Sequence, residues 1–152
     1  MPLVYVGLGS NLGDREATIR AALERLGAGD GIDVVRVSSL RETEPVGYEN
    51  QPRFLNGVAE LRTELAPRVL LDRMLAVERD LGRVREGPRD GPRTIDLDLL
   101  VYGDLVVDEP GLEVPHPRMA ERGFVLEPLA ELAPDLLVPG RGRVRDLLPG
   151  LH

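Results

Sequence analysis

The segment Thr94-Ile95-Asp96-Leu97-Asp98-Leu99-Leu100-Val101-Tyr102 constrains this chain more than any other stretch. Its acidic and apolar residues alternate, and a period of two is the signature of a strand with two unlike faces. As a strand it sends Asp96 and Asp98 to one side, with Cα atoms roughly 6.5 to 7 Å apart, and Leu97 and Leu99 to the other. A helix would splay the two carboxylates about 200° apart. Gly103-Asp104 closes the strand, and Leu105 to Val107 is expected to return beside it as a hairpin partner. Such a strand demands a sheet with an apolar layer behind it and two like charges in front.

The remaining elements follow from hydrophobic pattern and punctuation. Leu3 to Leu8 is an apolar run ended by Gly9-Ser10-Asn11 and reads as a buried strand. Asp14 is the expected N-cap of a helix whose stripe, Ile19, Leu23 and Leu26, stops at Gly27. Ile32 to Leu40 alternates loosely as a second strand. Arg41 to Arg53, holding Pro45, Gly47 and Pro52, reads as a loop of functional length. Phe54 to Leu65 is a third strand. Pro67 then opens a helix that carries Val69, Leu70, Met74, Val77 and Leu81 up to Gly82. A second polar loop, Arg83 to Arg93, leads into the aspartate strand. Beyond that strand lie a Pro-punctuated loop, a helix near Met119 to Leu132 and a short stretch ending in Leu147-Leu148. The order β-α-β-β-α-β, undivided by linker or repeat, predicts a single α+β domain over residues 1–152. The expected form is a ferredoxin-like sandwich, an antiparallel sheet with helices on one face and added C-terminal elements. Such a fold hosts many chemistries, so function has to be argued from residues.

Composition narrows the field. Without cysteine there is neither a disulfide framework nor a thiolate nucleophile, and a zinc site would have to come from the two histidines and carboxylates. The 26 acids against 19 bases, all of them arginine, give a net charge of −7, which repels polyanions and argues against nucleic acid or an anionic membrane as partner. No run approaches the ~18 apolar residues of a membrane span, and Met1-Pro2-Leu3-Val4-Tyr5 lacks a basic, cleavable leader. The expectation is a cytoplasmic protein, a monomer or weak homo-oligomer, whose partners are small molecules.

Like charges side by side on a strand repel, and a bound cation relieves them. Hard oxygen ligands beside arginines suggest Mg²⁺ carried in with a polyphosphate. The alternative is a solvated sheet edge whose acids discourage aggregation. The loop before the strand holds Arg83, Arg85, Arg89 and Arg93 against Glu86 and Asp90, a local +2 within a molecule of −7. Guanidiniums able to fold over a phosphate chain fit phosphoryl-group transfer, and solvated or internally paired arginines are the plainer reading. Phe54 and Phe124 stand out in a chain with three Tyr, two Phe and no Trp. They serve either the core or a flat heterocycle, whose polar edge the carboxamide of Asn56, on the strand face of Phe54, would read. His116, fixed between Pro115 and Pro117, suits a phosphate or leaving-group donor as well as a surface loop, and His152 is expected in solvent. Gly7-Leu8-Gly9-Ser10-Asn11-Leu12-Gly13 places its third glycine one residue late for a dinucleotide fingerprint.

Together, Gly9-Ser10-Asn11-Leu12-Gly13, Thr43-Glu44-Pro45-Val46-Gly47, Gln51-Pro52-Arg53-Phe54-Leu55-Asn56, Gly91-Pro92-Arg93-Thr94-Ile95-Asp96-Leu97-Asp98 and Pro115-His116-Pro117-Arg118-Met119 strongly resemble the 6-hydroxymethyl-7,8-dihydropterin pyrophosphokinase family, from about Val4 to Leu137. The resemblance implies a folate-synthesis enzyme that moves the β,γ-pyrophosphate of ATP to the pterin hydroxymethyl group, releasing AMP, with two Mg²⁺. It implies that Asp96 and Asp98 ligate Mg²⁺ and that Arg83 and Arg93 contact the phosphate chain. It implies further that Arg85, His116 and Arg122 are ATP-side groups, with Glu78 and Leu99 neighbouring the nucleotide. Phe54 and Phe124 would sandwich the pterin, Asn56 would read its amide, and Thr43, Pro45 and Val46 would complete its rim. One departure stands out: many relatives carry an aromatic just before Gly-Pro-Arg, where this chain has Asp90. Phe54 stands where some relatives have Tyr, keeping the stacking face. Two rivals fit less. A non-catalytic ligand sensor would leave the aspartate pair and the arginine loop without purpose, and a dinucleotide oxidoreductase would need a parallel sheet and the correct glycine spacing.

Overall fold

Val4, Val6 and Leu8 alternate with Tyr5 along the first strand, β1 (Leu3–Ser10), and this strand runs through the interior of a sheet with both faces covered. The computed structural model describes residues 2–11, 13–43, 53–82 and 95–148. After β1 come α1 (Arg15–Ala28), β2 (Ile32–Val37), β3 (Arg41–Thr43), β4 (Phe54–Thr63), α2 (Pro67–Asp80) and β5 (Asp96–Tyr102). The chain continues through β6 (Val107–Glu109), β7 (Leu112–Val114), a 3₁₀ turn (Met119–Glu121), α3 (Gly123–Leu132), β8 (Leu137–Val138), β9 (Gly142–Arg143) and α4 (Val144–Leu147). The main sheet has the order β2-β4-β1-β5, with β3 pairing a further stretch of β4, and each of these pairings is antiparallel.

Two apolar layers hold the sheet. On one face Val4, Val6, Leu8, Ala59, Leu61, Leu97 and Leu99 meet Ile19, Ala22 and Leu26 of α1 and Leu70, Met74 and Val77 of α2. The Asp14 carboxylate accepts from the Ala17 N–H at 3.1 Å and so caps α1, while Pro67 opens α2 where its missing N–H costs nothing. On the other face Tyr5, Val58 and Leu100 pack against Met119, Val125, Leu126 and Leu129, with Val138 and Val144 behind. Helices therefore cover both faces, where the sequence reading puts them on one. The physical reason is that α3 is apolar over most of its surface, and a helix of that kind has to be buried.

Other corrections concern boundaries. The segment read as the loop Arg41 to Arg53 begins with a strand, β3. Val107 does not return beside β5; it opens β6, which pairs with β7 in a separate hairpin. The helix expected over Met119 to Leu132 breaks at Arg122, whose extended backbone separates the 3₁₀ turn from α3. Under α3 lies a buried carboxylate, Glu60, which accepts from Tyr5 Oη at 3.0 Å and from Arg36 Nη2 at 2.6 Å. The Arg36 guanidinium also donates to the Leu132 carbonyl at 2.9 Å, fastening the end of α3 to β2. Burial and the adjoining Glu60 push the Tyr5 hydroxyl up to about 12.

Candidate active site

The register of three strands assembles the site. Gly9 of β1 lies opposite Asp96 of β5 on one side and Asn56 of β4 on the other, and Gly7 lies opposite Asp98. Residues paired across antiparallel strands share a face. Asp96, Asp98 and Asn56 therefore rise from the same side of the sheet, the side that α3 covers further along at Tyr5, Val58 and Leu100. Between them β1 contributes no side chain. A Cβ at Gly9 would fall 2.9 Å from Asn56 Nδ2, 3.8 Å from Phe54 Cδ1 and 3.9 Å from Asp96 Cβ. Gly9 thus forms a bare floor between a carboxylate and a carboxamide, and Gly7 does the same beside Asp98.

On the carboxamide side, Thr43 pairs with Phe54 and Arg41 with Asn56. The Thr43 hydroxyl donates to Asn56 Oδ1, and Asn56 Nδ2 donates to the Leu8 carbonyl at 3.4 Å, so the amide is held at both ends. Phe54 is half-buried beside it. Phe124 stands in the first turn of α3, half-buried, with the Arg122 guanidinium 5.4 Å from its ring centroid, within cation–π range. One turn on, Glu127 of α3 reaches back to Arg41 at 3.5 Å.

The carboxylate side is braced from outside the sheet. Glu78 of α2 is 1% exposed, and its Oε2 accepts from the Leu97 N–H at 2.8 Å, between the two aspartates. Leu99 turns into the α1/α2 layer, so its side chain faces away from Asp98. The His116 N–H donates to the Leu100 carbonyl at 2.8 Å, tying the Pro-His-Pro turn to the same strand. The Arg118 N–H donates to His116 Nδ1 at 3.2 Å, which leaves the ring proton on Nε2. Burial, with Arg122, Arg118 and Arg141 nearby, pushes His116 down to about 4, so the ring is neutral at pH 7 and its Nε2–H is a donor.

Among the described residues no three of Asp, Glu, His and Cys come together as a metal cage. Two carboxylates above a floor without side chains are a donor set that suits Mg²⁺, a hard cation that keeps waters and takes phosphate oxygens for the rest of its shell. The structure thus brings Asp96, Asp98, Asn56, Phe54 and Thr43 to one end of one face, with His116 tied to the same strand and Glu78 and Leu99 on the core side of it. Arg83, Arg85, Arg93, Pro45 and Val46 lie outside the described residues. Sequence reasoning missed Gly7 and Gly9 as a floor, although two glycines two apart in a buried strand are a legible signal for a bare strip on one face.

Residues 5–134 match the family described as 7,8-dihydro-6-hydroxymethylpterin-pyrophosphokinase (HPPK). The chain is 50% identical over 145 residues to the 2-amino-4-hydroxy-6-hydroxymethyldihydropteridine pyrophosphokinase of Pseudomonas aeruginosa, covering 95% of this chain and 89% of that one. It is 49% identical over 130 residues to the protein of the same name from Bacillus subtilis, covering 86% and 77%. Among solved structures, Plasmodium falciparum HPPK-DHPS A437G with STZ-DHP superposes with a TM-score of 0.78 at 13% identity, over 98% of this chain. This chain spans 45% of that longer one, and at such identity the likeness speaks to the fold alone.

Proposed function

This chain belongs to the 7,8-dihydro-6-hydroxymethylpterin-pyrophosphokinase family, and from that premise we propose how its residues carry the reaction. The protein is a pyrophosphokinase that transfers pyrophosphate from ATP to hydroxymethyldihydropterin, in folate biosynthesis. The observation that carries the assignment of roles is the row Asp96, Gly9, Asn56, in which one bare strand separates an acid pair from an amide.

The pterin enters over Asn56, stacked between Phe54 and Phe124, with the carboxamide reading its polar edge and Thr43, Pro45 and Val46 around it. Asp96 and Asp98 are the residues that would hold the two Mg²⁺. When bound, the metal neutralises charge on the phosphate oxygens and favours in-line attack. The hydroxyl oxygen of the pterin forms a bond to the β-phosphorus as the bond from that phosphorus to the α,β-bridging oxygen breaks; AMP leaves with the bridging oxygen, and the hydroxyl proton is released to solvent. A loose, metaphosphate-like transition state asks little of a base, so positioning and charge supply most of the rate. Arg83 and Arg93 meet the phosphate chain, and Arg85, Arg122 and the Nε2–H of His116 add donors on the ATP side. Glu78 serves this chemistry by holding the strand at Leu97, and Leu99 by anchoring it in the core.

The order β2-β4-β1-β5 supports the ferredoxin-like description of the fold, and two core layers sharing one sheet support a single domain over residues 1–152. We further take the protein to be cytoplasmic, a monomer or weak homo-oligomer acting on small molecules and not on nucleic acid. A net charge of −7 supports that reading. In addition, no helix among the described residues is long and apolar enough to cross a membrane. Incubation with ATP, Mg²⁺ and 6-hydroxymethyl-7,8-dihydropterin tests the reaction: AMP and the pterin diphosphate should appear together. Release of ADP, or no nucleotide product, would overturn it.

A further inference from the structure

Strand β3 has three residues, too few for its ladder alone to fix it, yet every one of its side chains is engaged. Arg41 donates to Glu131 at 3.0 Å and Glu127 at 3.5 Å on α3, and Thr43 donates to Asn56. Glu42 accepts from Arg15 Nη2 at 2.5 Å. The other arm of the same guanidinium, Nη1, donates to the Arg53 carbonyl at 2.9 Å. Glu42 and Arg53 stand on opposite sides of segment 44–52, so one planar group joins the strand that enters the segment to the residue that leads directly into β4. Arg15 is itself well placed to be a fixed point. It is the first residue of α1, directly after the Asp14 cap, and only 27% of its side chain is exposed.

Glu42 pairs with Leu55, which faces the α1 layer, whereas Thr43, Phe54 and Asn56 belong to the site face. The guanidinium therefore works from behind the sheet, directly under the aromatic and amide half of the site. A bidentate fork can span two oxygens at set spacing, which an ammonium cannot do. The neighbouring Arg15 holds the Glu42 carboxyl below its ordinary range.

We propose that Arg15 is a positioning residue for the pterin half of the site: by bonding Glu42 and the Arg53 carbonyl at once, it sets the spacing of β3 and β4 at Phe54. The orientation of the Phe54 ring and the Asn56 amide follows from that spacing. Arg15 is assigned no contact with substrate and acts through the strands. The proposal rests on the pterin reading of Phe54 and Asn56 given above. Because Glu42 is half exposed, the ion pair adds little to global stability, and its effect belongs in the site.

The test compares Arg15→Ala, Arg15→Lys and Glu42→Gln with the parent enzyme. AMP release is measured at varied pterin and varied ATP, alongside amide hydrogen exchange at Phe54 and Leu55. Arg15→Ala should raise the KM for the pterin about tenfold while the KM for ATP and kcat stay within about twofold. Exchange at the two amides should quicken with little change in Tm. Arg15→Lys should fall between Ala and Arg, and Glu42→Gln should show a smaller rise because the bond to Arg53 survives. An unchanged pterin KM, an equal rise for ATP, or a lysine variant equal to the parent would overturn the clamp. If Arg15→Ala does not fold, the lysine and Glu42→Gln variants decide the matter by the same criteria. If even the parent releases no AMP, the reaction assignment fails, while the exchange data still judge the clamp on their own.

Discussion

Replacing Gly9 by alanine adds one methyl group at the narrowest point of the row. Gly9 does not have a positive φ, so the backbone accepts a side chain without strain and the effect is one of contact. The new Cβ would sit in ordinary contact with Phe54 and Asp96, but 2.9 Å from Asn56 Nδ2 is too close, and the amide has to give way. That amide is tethered by Thr43 and by the Leu8 carbonyl at 3.4 Å, so it moves only by weakening those bonds. For folding, the terms oppose one another: alanine removes unfolded-state entropy worth about 0.4–1 kcal/mol, and strained hydrogen bonds cost about 0.5–1.5 kcal/mol. The net change should stay within about 1 kcal/mol, a few degrees in Tm. Binding has no such offset. An amide turned off its ring partners forfeits roughly 1.5–3 kcal/mol, which is roughly 10- to 150-fold in kcat/KM for the pterin. Steady-state AMP release at varied pterin reads this directly, with ATP as the internal control. Gly7→Ala is the matched comparison, because its Cβ would meet Asp98 Cβ and Leu100 Cδ2 at an ordinary 3.6 Å, and it should cost far less. If Gly9→Ala acts through Asn56, the double variant with Asn56→Ala should be no worse than Asn56→Ala alone. Additive losses, or an equal rise in the KM for ATP, would refute the reasoning.

Three further outcomes are expected. Asp96→Asn and Asp98→Asn should each lower AMP release at saturating substrates by at least about 100-fold and weaken binding of Mn²⁺-nucleotide seen by electron paramagnetic resonance; unaltered turnover would remove the metal role. His116 falls from an ordinary 6.5 to about 4 on folding, so its contribution to stability is complete above pH 6.5 and is lost as pH falls toward 4, where the unfolded chain takes the proton first. After allowance for the ring's partial contact with water, the wild type should lose about 1–2 kcal/mol more than His116→Gln between pH 7 and 4 in urea titrations; parallel curves would exclude this. Tyr5→Phe, which strips one donor from buried Glu60, should cost about 1–2 kcal/mol in thermal unfolding, since a hydrogen bond to a buried carboxylate is among the stronger kinds.

The sequence makes β5 and α2 plain because their patterns are local. Leucine and aspartate alternate along β5, and Leu70, Met74 and Val77 recur at helical spacing along α2. β3 is invisible by the same logic. Arg41, Glu42 and Thr43 carry no apolar signal, and what makes them a strand is Arg15, Glu131 and Asn56, which lie 27, 90 and 13 residues away from their partners. The hairpin beyond β5 is not legible locally, because Leu105 and Val107 are apolar enough to pair with anything nearby. The choice of Leu112 and Val114 as partners follows from their burial against the α1/α2 layer, which no local rule supplies. In the site, residue types at Asp96, Asp98, Asn56 and Phe54 are readable from alternation. Their convergence is a matter of register, and register is set by which face of β1 and β4 is apolar. Glu78 illustrates the limit: an acid in a helix carries no mark that it will end 1% exposed against the Leu97 N–H.

The same contact bears on how the protein behaves in crowded solution. β5 ends the main sheet, and an end strand ordinarily offers a template on which another chain can grow. Here the outward Leu97 N–H is taken by a buried carboxylate and the Leu100 carbonyl by the turn at His116, so two of the ladder's attachment points are already filled. At the opposite end, β2 is interrupted by a bulge between Val34 and Arg36. Protection against edge-to-edge association is thus built from Glu78, His116 and a bulge, and the acid pair on β5 is relieved of that duty. Substitutions at the aspartates should accordingly silence the enzyme without making it stick to itself, whereas loss of Glu78 should do two things at once, loosening the strand that carries them and opening its edge to recruitment by a neighbour.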